Sequence, residues 1–219
     1  MSNDRTPNYV FRVSVRDEYA ADFLLDGALE ISDEVGFLLV NNGWGRSNFQ
    51  ALTESLERRK LPPAHVEWFD WGERNFGIKI DALVKHGAES IIFVGNQVEG
   101  SKFVKALAKL EKPPVVISHW GITGSNFAKK SHRALNKVDV RVLQTFSFLN
   151  AESPEAEQLV TRYHERYSTK LKTDIVAPSG TAHAYDLMHM LAIATQKAGK
   201  ADMTLIREEL LKIDEYQAS

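Results

Sequence analysis

Residues 35–45 read Val-Gly-Phe-Leu-Leu-Val-Asn-Asn-Gly-Trp-Gly, an apolar run that breaks into a polar turn containing glycine. A strand that is apolar throughout is typical of a parallel sheet covered by helices on both faces. The same pattern, an apolar run followed by a helix-like segment, recurs roughly every 25–30 residues along the chain. The five runs are residues 35–40, 65–69, 90–94, 114–118 and 141–145. We therefore predict an α/β fold built on a parallel sheet, with helices on both faces.

A flavodoxin-like sheet of about five strands binds ligands outside the carboxyl ends of its strands, where the strand order reverses. The side chains that follow the predicted strands suit holding a small organic molecule better than reacting with one. The predicted ligand-binding residues are Asn41, Trp44, Gln97, His119 and Trp120. Trp44, Gln97 and Trp120 would flank the switch between the first and third strands. Trp71 also follows a strand, whereas Trp68 lies inside one and is expected to pack in the fold.

The bulk composition excludes several classes of partner. The 27 basic and 29 acidic residues give a net charge of −2, so we predict no nucleic-acid partner. The absence of cysteine excludes disulfides, thiolate metal sites and a cysteine nucleophile. No uninterrupted apolar stretch approaches the roughly 18 residues that a membrane span needs. The polar residues Met1–Asp4 lack the apolar segment of a signal peptide.

No group of residues predicts catalysis. Gly43 and Gly45 match two positions of a dinucleotide-binding fingerprint, but Asn48 occupies the third, and the Lys-Ser/Thr pair of a phosphate-binding loop is missing. The chain has no Gly-x-Ser-x-Gly elbow for a hydrolase. His183 and His189 are six residues apart on one predicted helix and cannot form a metal pair. We therefore predict a protein that is not an enzyme, with no catalytic residue, no metal site and no cofactor.

Hydrophobic periodicity also predicts the helices that surround the sheet. A helix over 46–60 would be capped by Ser47 or Asn48. A helix over 76–86 would bury four apolar side chains and end at Gly87, which is placed as its C-cap. A helix over 181–198 would follow a linker at 170–180. The apolar residues expected on the two latter helices are Ile78, Ile80, Leu83 and Val84, and Ala184, Leu187, Met188, Leu191, Ala192 and Thr195.

Four segments, in order, resemble the periplasmic leucine/isoleucine/valine-type (type I) solute-binding proteins of ABC transporters. They are Asn8–Ser14, Val35–Gly45, Gly72–Phe76 and the Ala-Tyr-Asp stretch at 184–186. The resemblance runs from about residue 7 to 213 and adds Gly45, of the Trp-Gly pair, to the predicted ligand-binding residues. It implies one lobe of such a receptor, with 7–170 as the solute-binding lobe and 171–219 as the return linker and C-terminal helices.

The same resemblance implies a function in transport. The chain is expected to be a truncated, extracytoplasmic receptor component that binds a small amino-acid-like, amide or carboxylate ligand and serves an ABC transporter permease. Trp120 stands where the amino-acid binders of this family place a carboxylate for the ligand ammonium, which puts an α-amino acid in doubt. The exposed face that would meet another lobe predicts self-association. The alternatives are a sensory domain of a membrane receptor, an inactive single lobe, and a flavodoxin-like enzyme that binds FMN or phosphate.

Overall fold

Five strands form one sheet in the computed structural model, which describes residues 6–124, 127–214 and 216. The strands are β1 (Val35–Val40), β2 (His65–Phe69), β3 (Ser90–Val94), β4 (Val115–His119) and β5 (Val140–Leu143). They lie in the order β2-β1-β3-β4-β5, and every neighbouring pair is parallel. The predicted α/β parallel sheet is therefore confirmed. Strand β2 lies at an edge, and only Phe69 of its five residues is fully buried.

Eight helices of the described residues alternate with these strands and then follow them. They are α1 (Asp17–Leu29), α2 (Gly43–Arg58), α3 (Gly77–Lys85), α4 (Gln97–Leu107), α5 (Phe127–Leu135), α6 (Pro154–Tyr167), α7 (Pro178–Ala198) and α8 (Met203–Leu211). Short 3-10 turns occupy Trp120–Thr123 and Lys172–Asp174.

Helices cover both faces of the sheet, because successive strand residues point to opposite sides. Leu38 and Phe93 pack with residues of α3, α4 and α5 in one buried cluster. Phe37 and Ile92, each next to one of them in sequence, pack with residues of α1 and α2 in another. The continuous apolar runs in the sequence therefore reflect two separate cores, one on each side of the sheet.

Helix α2 begins three residues before the predicted start. Asn42 has an extended backbone and accepts a hydrogen bond from the Gly45 amide at 3.0 Å, so it is the N-cap. The prediction that Ser47 or Asn48 caps this helix is wrong, because both lie within it. Asn48 is fully buried instead.

Helix α3 buries a narrower stripe than predicted. Ile80 and Leu83 are buried, but Ile78 is 80% exposed and Val84 is 42% exposed. Ile78 lies two positions from Ile80, which is about 200° around a helix, so the two side chains cannot share a face. Gly87 follows the helix with φ +88°, the left-handed conformation expected of a C-terminal glycine.

The chain divides into two compact units, residues 15–145 and residues 1–14 with 146–219. The first unit contains the whole sheet and helices α1 to α5. Residues 7–14 and 146–170, which the sequence assigned to the solute-binding lobe, group with the second unit by their contacts. As functional domains, 7–170 and 171–219 stay a prediction.

The second unit contains α6, α7 and α8. Ser153 caps α6 by accepting a hydrogen bond from the Ala156 amide at 3.1 Å. The buried core of the second unit comprises Phe148, Leu159, Val160, Ile175 and Ala182. Helix α7 begins at Pro178, so the predicted linker contributes the first three residues of the helix. Every helix among the described residues is too short or too polar to cross a membrane.

Candidate functional site

The candidate site lies at the carboxyl ends of β1, β3 and β4 in the first unit. Strand β1 pairs with β2 on one side and with β3 on the other, so the chain reverses its direction across the sheet after β2. The loops that leave β1 and β3 therefore turn to opposite faces, which opens a crevice at this point of the edge. This is the switch that the sequence predicts.

Three aromatic side chains meet at this edge, and we call Trp44, His119 and Trp120 the aromatic cluster. The centroid of the Trp44 ring lies 5.8 Å from that of His119, at an interplanar angle of 51°. The Trp120 ring lies 5.4 Å from His119 and almost perpendicular to it. Both indoles are half-buried, whereas His119 is buried. The two partly exposed indole rings of Trp44 and Trp120 thus contact the buried ring of His119.

Asn48 anchors the aromatic cluster, and sequence reasoning missed it. Its Nδ2 donates to the Trp44 carbonyl at 3.0 Å, which orients the amide. Its Oδ1 then accepts a hydrogen bond from Nε2 of His119 at 2.6 Å. His119 is therefore the tautomer protonated on Nε2. The signal in the sequence is the spacing of Asn48 with Leu52 and Leu56, which places an amide on the buried stripe of α2.

His119 carries no charge near neutral pH. Its burial lowers its pKa to about 4, an effect that outweighs the opposing influence of the Asp17 carboxylate. A neutral imidazole in contact with two indoles leaves this part of the edge aromatic and uncharged. Such a surface favours contact with an aromatic or aliphatic group of a ligand.

Gly45 has a packing role that accounts for a glycine at this position. A Cβ atom built on Gly45 would lie 1.7 Å from the carbonyl oxygen of Val40, so a side chain is excluded. The first turn of α2 can therefore approach the end of β1 closely. Gly45 is buried, in contrast to Gly43, whose own Cβ would meet nothing within 4 Å.

Gln97 and Gly121 connect the loops after β3 and β4. A Cβ on Gly121 would lie 3.5 Å from Cη2 of Trp44 and 3.0 Å from Oδ1 of Asn96. Gln97, the first residue of α4, is half-buried, and its Oε1 would be 3.1 Å from a Cβ on Gly124. The three loops after β1, β3 and β4 thus come together as the sequence predicts.

Asn41 belongs to a different group of contacts, on the β2 side of the edge. Its Oδ1 accepts from Nη2 of Arg46 at 2.9 Å, and its Nδ2 donates to Oδ1 of Asp70 at 3.1 Å. Arg46 also lies over the ring of Trp68, 5.6 Å from its centroid. The amide of Asn41 is therefore engaged within the protein, and its predicted ligand contact stays untested.

The side chains described above present aromatic rings and amide groups at this edge. Among residues 6–124, 127–214 and 216, no group of three or more His, Cys, Asp or Glu side chains could hold a metal ion. The α2 N-terminus, where a phosphate would bind in a nucleotide fold, already has one amide engaged by Asn42.

The buried carboxylate of Glu99 accepts a hydrogen bond from the Gly72 amide at 3.0 Å.

Comparison with solved structures gives this fold a known counterpart. A leucine binding protein from Thermotoga maritima matches with a TM-score of 0.80 at 14% identity, over 97% of this chain and 59% of that chain. The fold is that of a type I periplasmic binding protein. The similarity of the folds confirms the resemblance to this family that the sequence predicted.

Two further neighbours have ligands bound. A branched-chain amino acid transporter substrate binding protein from Streptococcus pneumoniae, in complex with isoleucine, matches with a TM-score of 0.71 at 16% identity, over 93% of this chain and 56% of that one. A solute binding protein from R. palustris, in complex with 4-hydroxybenzoate, matches with a TM-score of 0.70 at 13% identity, over 87% and 50%.

The chain thus spans 50–59% of the length of these three neighbours. No protein-family model matches the sequence, and a comparison with curated proteins finds no match.

Proposed function

We propose that this chain is a receptor component of an ABC transporter, working outside the cytoplasm and binding a small solute without chemical conversion. The observation that carries the proposal is the aromatic cluster at the switch point. Two half-buried indoles contact a buried, neutral histidine that Asn48 holds in one orientation. Rigid aromatic rings at such an edge provide contact area for a ligand with little loss of side-chain entropy.

The chemistry of the cluster favours a ligand that presents an aromatic or apolar group to this unit. Trp44, His119, Trp120 and Gln97 carry no negative charge at neutral pH. Burying a ligand ammonium group against them would be costly, because the group would lose water without gaining an anionic partner. The carboxylate of an aromatic acid, or the carbonyl of an aromatic amide, could instead accept a hydrogen bond from the side-chain NH2 group of Gln97.

Since the chain covers about half of its structural neighbours, delivery to a permease and closure around the ligand belong to the proposal. The neighbours are transport proteins rather than enzymes, and they include one with isoleucine and one with 4-hydroxybenzoate. These ligands represent the two classes that the cluster must distinguish.

Isothermal titration with 4-hydroxybenzoate, benzamide, isoleucine and FMN tests the proposal. Binding of the aromatic acid or amide, weakened at least about tenfold by Trp44→Ala or Trp120→Ala, would support it. Trp71→Ala is the matched control, because Trp71 is 47% exposed and contacts Phe69 rather than His119. Equal loss in all three variants, or binding of FMN with a phosphate requirement, would refute the proposal.

A further inference from the structure

The outward sides of two neighbouring helices of the first unit form a strongly basic surface. Helices α4 and α5 contribute buried residues to the same core cluster, on one side of the sheet. Residues 97–137, which span both helices, contain eight Lys or Arg and two Glu, a net charge of +6 in a chain whose total is −2. Six of these cations are exposed and lie on the two helices or within two residues of their ends. We call them the basic face: Lys105, Lys109, Lys129, Lys130, Arg133 and Lys137.

The basic face is not neutralised by carboxylates of the chain. In the part of the chain that the structure describes, none of its six cations is in an ion pair. One of the two Glu in this stretch, Glu99, is buried and accepts its hydrogen bond from the Gly72 amide. Lys102 is not part of the basic face, because its Nζ donates to the Glu73 carbonyl at 2.7 Å.

The stability of helix α5 does not account for its cations. Lys129 and Lys130 are the third and fourth residues of the helix, and its first turn contains no acidic residue. The positive end of the helix dipole disfavours cations at these positions. Lys129 and Arg133 are also four residues apart, a spacing at which like charges repel each other on a helix. The arrangement therefore costs the isolated helix stability, and an anionic partner would offset that cost.

We propose that the basic face adsorbs to an anionic lipid surface. Five of its six cations are lysines, which are compact, strongly hydrated charges and need no fixed geometry to interact with a phosphate group. Lysine is depleted in protein–protein interfaces, where arginine is enriched. Clusters of about four to eight Lys or Arg on a helix are typical of segments that bind anionic lipid headgroups. The proposal goes beyond the proposed function and does not depend on the identity of the solute.

The surroundings of the basic face favour adsorption at a lipid surface without insertion. Helix α5 has no exposed large apolar side chain, and on α4 the only one is Val98, which is 43% exposed. Helix α1 packs on the other side of the sheet and contains four acidic residues and no basic one. The two sides of the unit thus carry opposite charge, so an anionic surface would attract the basic side and repel the other.

Co-sedimentation of the purified full chain with lipid vesicles, without any solute, tests the proposal. We expect binding to vesicles of phosphatidylcholine mixed with phosphatidylglycerol and none to vesicles of phosphatidylcholine alone. Binding should fall steeply as the NaCl concentration rises, because salt screens exposed charges. Equal binding to both vesicles, or no binding to either at low salt, would overturn the proposal. Since no solute is present, a failure of the proposed function would leave this result unchanged.

A matched pair of variants tests whether the basic face itself makes the contact. The triple variant Lys129→Gln, Lys130→Gln, Arg133→Gln should lower the partition constant on the anionic vesicles at least about tenfold. The control removes three cations from exposed positions on α6 and α7 of the second unit and should keep most of the binding: Arg162→Gln, Arg166→Gln and Lys197→Gln.

Thermal melts verify that both triple variants are folded. Equal loss of binding in the two variants would overturn the proposal, because the total charge rather than the basic face would then control adsorption. Soluble poly-glutamate serves as a second anionic probe. Binding of the wild-type chain to poly-glutamate but not to the anionic vesicles would also overturn the proposal, in favour of an acidic polypeptide as the partner.

Discussion

Nε2 of His119 lies 2.6 Å from Oδ1 of Asn48, although 71 residues separate the two in sequence. One residue ends β4 and the other lies on the inner stripe of α2, and both are buried. The bond therefore ties the first helix after β1 to the fourth strand, next to the Trp44 ring, whose centroid lies 5.8 Å from that of His119. It fixes the ring on which the candidate ligand surface rests.

Replacing Asn48 with leucine should lower the free energy of unfolding by about 1–3 kcal/mol, because the Nε2–H of His119 would be buried without an acceptor. Urea unfolding at neutral pH measures the change. Ser47→Ala, at an exposed position of the same helix, is the control and should stay within about 0.5 kcal/mol of the wild type. Equal stability of the two variants would show that the bond contributes nothing.

Acidification should destabilise the protein through His119. The pKa of His119 is lowered to about 4 in the folded state, whereas its ordinary value in an unfolded chain is near 6.5. Between pH 6.5 and pH 4 the unfolded chain therefore binds a proton at this residue and the folded chain does not, so acid favours unfolding. The penalty begins as the pH falls below about 6.5 and reaches about 3 kcal/mol near pH 4.

The variant His119→Gln should lack this component while keeping a donor for Asn48. The measurement is the free energy of unfolding from urea at pH 7.5, 6 and 5 for both proteins. The difference between them isolates His119 from the other histidines. If the two proteins lose stability in parallel, His119 is protonated in the folded state and the burial argument fails.

Gly45→Ala should destabilise the protein by more than about 3 kcal/mol or prevent folding, because its methyl group would overlap the Val40 carbonyl. Gly43→Ala, two residues earlier in the same helical turn, is the matched control. A Cβ there meets no atom within 4 Å, so this change should be neutral or stabilising by up to about 1 kcal/mol. Thermal melts of both variants decide the matter, and similar melting temperatures would contradict the close approach of α2 to β1.

Gly121→Ala should disturb the ligand surface with little loss of stability, since its methyl group would lie 3.0 Å from Asn96 and 3.5 Å from the Trp44 ring. We expect a changed tryptophan emission spectrum and a cost of about 1 kcal/mol. Gly180→Ala is the control, because its nearest atom is the Ala177 Cβ at 3.8 Å. An unaltered spectrum in both variants would show that Trp44 does not rest on the loop after β4.

The sequence predicted the sheet well, because the signal for a buried strand is local. The apolar runs at 35–40 and 90–94 coincide with β1 and β3, and Gly87 follows the end of a helix where expected. The position of Trp44 and Trp120 after strands also followed from the pattern, since the carboxyl ends of parallel strands share one edge.

The contacts between side chains of the site could not be predicted from local sequence signals. Asn48 resembled a helix cap or a fingerprint position, because nothing local marks it as the partner of His119. The bonds from Arg46 and Asp70 to the two ends of the Asn41 amide were not predicted, and the ligand contact of Asn41 stays a prediction. The exposure of Ile78 likewise depends on which stripe of α3 meets the sheet.

By itself, the sequence determined the α/β class and the parallel strands, and it predicted the edge at which a ligand would bind. The reason is that periodicity and turn residues act over a few neighbouring positions. Only the tertiary structure decided that His119 is buried, neutral and bonded to Asn48, and that Gly45 must be a glycine. These properties depend on contacts between segments distant in sequence, whose distances and loss of water arise only when the helices pack on the sheet.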